Sequence, residues 1–269
     1  MAEEHLFSDA YQPRQIARRV EEMGVAKARA DTLSLFVLAL LAGAFISLGA
    51  LLFTVIVTES QLGFGVTRLL GGLGFCLGLV LVVVGGAELF TGNNLLAMAW
   101  ASRLISGRQV LRNWWLVYLG NVLGCLGTVL LVVWADIASL GSGSGSVDET
   151  AVQIARSKAE LSLLEAFSRG ILSNVLVCLA VWLAMGGRSV CDKIVAILLP
   201  IAAFVTIGFE HSIANWFFLP YGLVLDGELS LGGVARNLLA VSLGNIVGGT
   251  LLVAGVYWLA YLRGEPRPG

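Results

Sequence analysis

The chain has 269 residues, 57% of them hydrophobic and 13% charged, with a mean hydropathy of +0.86, which excludes an ordinary soluble domain. Seventeen Lys and Arg against eighteen Asp and Glu leave a net charge of −1. With no basic block and no aromatic-basic interleaving, nucleic acid is not an expected partner.

Residues 1–30 are polar, so no cleavable signal peptide is visible. Pro13 opens a predicted helix in which Ile16, Val20 and Met23 form an apolar stripe among charges. This segment reads as a cytoplasmic N-terminal helix on the membrane surface, with a mobile gate as the functional alternative. Six apolar segments follow, near 32–58, 69–104, 113–136, 161–185, 194–223 and 237–262. Small residues (Gly43 and Gly49 in the first, Gly120, Gly124 and Gly127 in the third) suit close helix approach in lipid. Gly141–Ser146 has flexible-linker composition. Residues 263–269 form a short tail.

The second and fifth segments are too long for one straight span, for which about 20 residues suffice. Each holds a polar run near its middle: Gly86-Ala87-Glu88-Leu89-Phe90-Thr91-Gly92-Asn93 and Gly208-Phe209-Glu210-His211-Ser212-Ile213-Ala214-Asn215. Charged groups at that depth are costly, and irregular backbone is tolerated there only when protein buries it or a cavity adjoins it. Both helices are therefore expected to break at these runs. Gly86, Glu88 and Asn93 precede Gly208, Glu210 and Asn215 by 122 positions, and Leu119-Gly120-Asn121 precedes Leu243-Gly244-Asn245 by 124. These echoes define repeats at 31–136 and 161–262 within a channel domain spanning 31–262. Three spans per repeat, an odd number, makes the halves inverted. With the N-terminus inside, inner segments hold twelve Lys and Arg and outer segments four, which places both termini in the cytoplasm.

Glu88 and Glu210 are expected to accept backbone N–H groups freed by the breaks, and Asn93 and Asn215 to cap the second half-helices. His211 is the one histidine within the spans, the other being His5 in the polar tail. Imidazole there can donate one hydrogen bond and accept another. Cys76, Cys125, Cys178 and Cys191 lack metal or disulfide spacing and read as packing residues. No cofactor or metal is expected.

The run Phe-Glu-His-Ser-Ile-Ala-Asn at 209–215, Glu-Leu-Phe-Thr at 88–91 and Leu-Gly-Asn at 243–245 resemble the formate/nitrite transporter family. The stretches at 69–79 and 188–193 most resemble its formate-channel branch. The resemblance implies an all-α membrane protein of aquaporin-like plan, in an inner or plasma membrane, assembled as a homopentamer with one pore per subunit. The paired Asn-Pro-Ala motifs of water channels are absent. It implies a channel for small monovalent anions, formate first and nitrite or hydrosulfide as alternatives, with possible proton coupling; the chain is not expected to be an enzyme. It puts His211, Thr91 and Asn245 at the centre of the pathway and Lys158 in the outer vestibule. It assigns Phe75, Leu79 and Phe204 to an outer apolar constriction and Leu89, Phe90 and Val177 to an inner one. Arg169 departs from the small or apolar residue expected in the fourth span; a neighbouring subunit or a lipid headgroup are its open partners. A membrane redox subunit is the reading from another class, but one intramembrane His cannot build a bis-His haem site.

Overall fold

The computed structural model describes residues 10–141, 146–226 and 228–264. His5, the middle of the Gly-Ser linker, Arg267 and the last five residues of the tail lie outside them. Helix α1 is Pro13–Arg29, begun by the Pro and a capping box between Gln12 and Gln15. Among the described residues, six elements are long and apolar enough to cross a membrane. They are α2 (Thr32–Val57), α3 (Phe64–Gly85), α5 (Gly107–Trp134), α7 (Leu163–Gly186), α8 (Val190–Ile207) and the run Leu231–Tyr261. That last run is α10 (Leu231–Val247), a π-helical stretch (Gly248–Gly255) and α11 (Val256–Tyr261). Between α3 and α5 lie a 3-10 turn, Gly92–Leu95, and α4 (Leu96–Ala101). After α8 comes α9 (Ser212–Leu225).

Helices α5 and α10 start about two turns before the apolar segments predicted from Asn113 and Asn237. Their first turns carry Arg108, Arg112 and Arg236, which lower hydropathy but extend toward polar surroundings. Ser106 with Gln109 caps α5 and Ser230 caps α10. Asp31 caps α2 through the N–H of Ser34, and that bond holds its carboxyl below the ordinary value.

One element was missed. Residues read as linker and approach to the fourth span form α6 (Val147–Ala159). Its buried stripe is Ala151, Ala155 and Ala159, against α9 and the segment after it. Alanine gives little contrast in hydropathy, so the stripe is inconspicuous. At Gly222 of α9 a Cβ would overlap the methyl of Ala155, so this close approach requires glycine.

Both expected breaks are present. Helix α3 ends at Gly85, with Gly86 left-handed at φ +83°; α8 ends at Ile207, with Gly208 at φ +89°. A side chain at either position would be strained, by about 1 kcal/mol.

The two halves match in the hydrogen bonds that brace the breaks. Asn121 donates to the carbonyls of Ala39 (2.8 Å) and Glu88 (2.9 Å) and accepts the Phe90 N–H (2.9 Å). Asn245 donates to Gly170 (2.7 Å) and Glu210 (3.1 Å) and accepts the Ser212 N–H (2.9 Å). The N–H of Glu88 reaches the Leu38 carbonyl, and that of Glu210 the Arg169 carbonyl. The backbone exposed by each break is thus tied to two neighbouring helices.

Candidate functional site

The breaks lie between two cavities. One, of about 160 Å³, is lined by Arg68, Phe75, Lys158, Arg169, Phe204, Glu210 and His211 among others. The second, of about 220 Å³, is lined by Lys27, Leu79, Glu88, Leu89, Asn93, Val181 and Lys193 among others.

His211 closes the first cavity. It is the N-cap of α9, and its Nδ1 accepts the N–H of Ala214 at 3.1 Å. An amide N–H has only a proton to give, so Nδ1 of the neutral ring is bare and the hydrogen sits on Nε2. Nε2 lies 2.9 Å from Thr91 Oγ1 and therefore donates to it. That leaves the threonine hydroxyl with a hydrogen of its own to donate. The Thr91 carbonyl is held in turn by the side chains of Asn94 (3.2 Å), Asn174 (3.2 Å) and Cys178 (3.4 Å). Positions 91 and 213 correspond between the halves, as do 89 and 211. The polar pair therefore joins one group from each break at non-equivalent positions.

Asn245, expected beside these two as a substrate contact, spends both amide hydrogens on backbone carbonyls and its oxygen on the Ser212 N–H. It braces the break. The same bonds correct the expected role of the glutamates: the asparagines Asn121 and Asn245, not the carboxylates, take the freed backbone N–H groups. Glu210 instead pairs with Lys158 Nζ at 2.9 Å and accepts from Asn215 at 2.6 Å. Glu88 pairs with Lys27 Nζ at 2.9 Å and accepts from Asn93 at 2.7 Å. Asn93 and Asn215 do not cap helices; each also donates to an asparagine of the following span, Asn113 and Asn237. Position N-cap of α9 belongs to His211 because the chain turns into helix one residue after it.

Lys27 was not singled out from sequence. The signal was there: the Glu-x4-Asn echo pairs with Lys158 at one break, and a lysine stands at the end of the amphipathic helix before each half. Lys158 itself is 14% exposed at its side chain and also lies 5.2 Å from the ring centroid of Phe218.

Phe75 and Phe204 meet edge to face, centroids 5.5 Å apart, and Phe204 lies 6.0 Å from the His211 ring. Both line the cavity of Lys158. Leu79, expected with them, lines the other cavity together with Leu89. Helix α3 advances about 6 Å, one turn, between 75 and 79, and the two side chains line different cavities. Phe90 and Val177 line neither cavity. Phe90 packs edge to face on Tyr118, centroids 4.9 Å apart, and on Trp114. Arg169, left open from sequence, faces the cavity of Lys158.

A family model described as formate/nitrite transporter matches residues 14–259. The formate channel FocA of Escherichia coli (strain K12) is 40% identical, over 95% of this chain and 96% of that one. The formate channel BtFdhC of Bacillus thuringiensis is 37% identical, over 94% and 96% respectively. A solved structure titled as a pentameric formate channel with formate bound is similar at TM-score 0.78 and 38% identity, covering 86% of this chain and 98% of that chain. The chain belongs to the formate/nitrite transporter family.

Proposed function

We propose that this protein conducts formate or a similar small monovalent anion through each subunit of a pentamer, in an inner or plasma membrane with both termini cytoplasmic, and that it is not an enzyme. The halves are read as inverted about an axis in the membrane plane. The observation that carries the reading is the His211–Thr91 pair between two cavities, each bearing a lysine. Beside its Lys–Glu pair each cavity keeps further positive charge, Arg68 and Arg169 in one and Lys193 in the other, which enriches anions. At the middle the Thr91 hydroxyl hydrogen, oriented by the Nε2–H of His211, offers a donor to an anion that has shed water. Phe75 and Phe204 on one side and Leu79 and Leu89 on the other offer no such donor, so a bare anion crosses them against its hydration energy.

A weak acid avoids that cost by crossing neutral. His211 serves first as a hydrogen-bond donor, since a second ring proton can enter only at Nδ1, where the Ala214 bond must open. Flux is expected to rise as pH falls, and chloride to pass poorly. The test is formate, nitrite, hydrosulfide and chloride flux in proteoliposomes over about pH 5–8, with full-length protein and protein lacking residues 1–28. Equal chloride and formate fluxes overturn the neutral-crossing route. Absence of flux for every anion in the assembled protein overturns the channel reading.

A further inference from the structure

The cavity containing Lys158 holds three cations and one carboxylate: Arg68, Lys158, Arg169 and Glu210. Two of the cations are committed. Lys158 is paired with Glu210. Arg68 donates to the Val205 carbonyl at 2.6 Å and the Thr206 carbonyl at 3.3 Å, at the end of α8. Arg169 is different. Among the described residues its guanidinium makes no hydrogen bond and no ion pair within 4 Å. Glu165, one turn earlier on α7, is an acidic neighbour, but one oxygen of that carboxylate already takes the N–H and hydroxyl of Ser162. The backbone of Arg169 is fixed against the second break, because its carbonyl accepts the Glu210 N–H at 3.3 Å. A half-buried guanidinium with open donors is therefore held at a set place in the wall of the cavity that Lys158, Phe75 and Phe204 also line.

We propose that Arg169 is a capture site for planar oxyanions, a carboxylate or nitrite, which docks on its fork before crossing the phenylalanines. The proposal rests on the anion-channel reading and adds to it a station and a preference. A guanidinium presents two parallel N–H groups that match the two oxygens of formate; a spherical halide can use the charge but not the fork. The site is one-sided. The residue in the corresponding place in the first half is Leu38, whose carbonyl makes the matching bond to Glu88. The cavity of Lys27 sets Lys27 and Lys193 against Glu88 and has no arginine in its lining. Capture should therefore act on anions entering from the Lys158 side alone.

The experiment compares wild type, Arg169→Gln and Arg169→Lys, each checked for assembly by size-exclusion chromatography. In oriented proteoliposomes at low ionic strength, Arg169→Gln should raise the half-saturating formate concentration about tenfold from the Lys158 side. Maximal flux and entry from the Lys27 side should stay unchanged, and the difference should shrink at high salt. Arg169→Lys should recover much of the affinity while losing preference for formate over chloride as competitor. A binding readout separates this proposal from the channel reading: line broadening of ¹³C-formate by detergent-solubilised protein, expected in wild type and reduced in Arg169→Gln. Equal half-saturation and equal broadening in wild type and Arg169→Gln overturn the capture site even if formate is conducted. Broadening that depends on Arg169 upholds it even if no formate crosses.

Discussion

The ammonium of Lys27, near the end of α1, sits 2.9 Å from the carboxylate of Glu88 in the first break, and also 2.9 Å from Asn93 Oδ1. The N-terminal helix is thereby joined to the pathway wall by a charge as well as by its apolar stripe. Lys27→Ala leaves Glu88 uncompensated and is expected to cost about 3 kcal/mol. Proteolysis of α1 should quicken, and the double variant Lys27→Ala with Glu88→Gln should regain part of the loss. If the single variant keeps wild-type protease resistance, the pair is not what seats the helix.

Thr91→Val keeps the shape of the side chain but removes the acceptor of the His211 Nε2–H and the donor offered to the anion. Formate flux should drop by about tenfold or more, since an unpaired buried donor costs about 1–3 kcal/mol. Thr91→Ser should conduct close to wild type. His211→Phe loses both this bond and the cap of α9, the latter worth about 1 kcal/mol. It should assemble and conduct little or lose pH dependence. Flux in proteoliposomes, normalised to assembled protein, decides both.

Asn121 and Asn245 make three matching bonds each, so their alanine variants should be destabilised alike, by about 2–4 kcal/mol from buried groups left unpaired. Thermal unfolding in detergent measures this. An Asn245→Ala protein with wild-type stability but no flux would restore that residue to a substrate contact.

Arg156 of α6 bonds the carboxylate of Asp226 just after α9, with its Nε at 3.0 Å. The Arg156 bond holds the Asp226 carboxyl below its ordinary 3.8. A group with a depressed folded value contributes stability above the unfolded value and loses it as pH falls through the folded one. Hydrogen exchange of α6 amides should thus be insensitive to this group at neutral pH and accelerate only below that ordinary value. Asp226→Asn should exchange faster already at neutral pH, without the acid step.

The breaks and the histidine were legible because they contradict their surroundings: glycine, glutamate and histidine are expensive in an apolar run and so announce a reason for being there. Lys27 and Lys158 stand in charged amphipathic stretches, where a lysine looks ordinary, so the first was passed over and the second was placed without its helix. Asn121 and Asn245 were visible as a repeat, but a sequence does not say whether a buried amide faces a ligand or a carbonyl. Leu79 and Phe90 show the same limit, since the cavity a residue of α3 reaches depends on its place along the helix, and the packing of a residue in the non-helical break depends on neighbours far off in sequence.

The asparagine braces also bear on how the chain is made. The Glu88 carbonyl is satisfied by an amide 33 residues later in the sequence, and the Glu210 carbonyl by one 35 residues later. When a broken segment first reaches the bilayer during synthesis, that asparagine has not yet emerged, and the carbonyl and N–H it will satisfy have no partner in lipid. The second and third spans should therefore leave the insertion machinery as a pair, and the fifth and sixth as another, with the broken member waiting in each case for the helix that completes it.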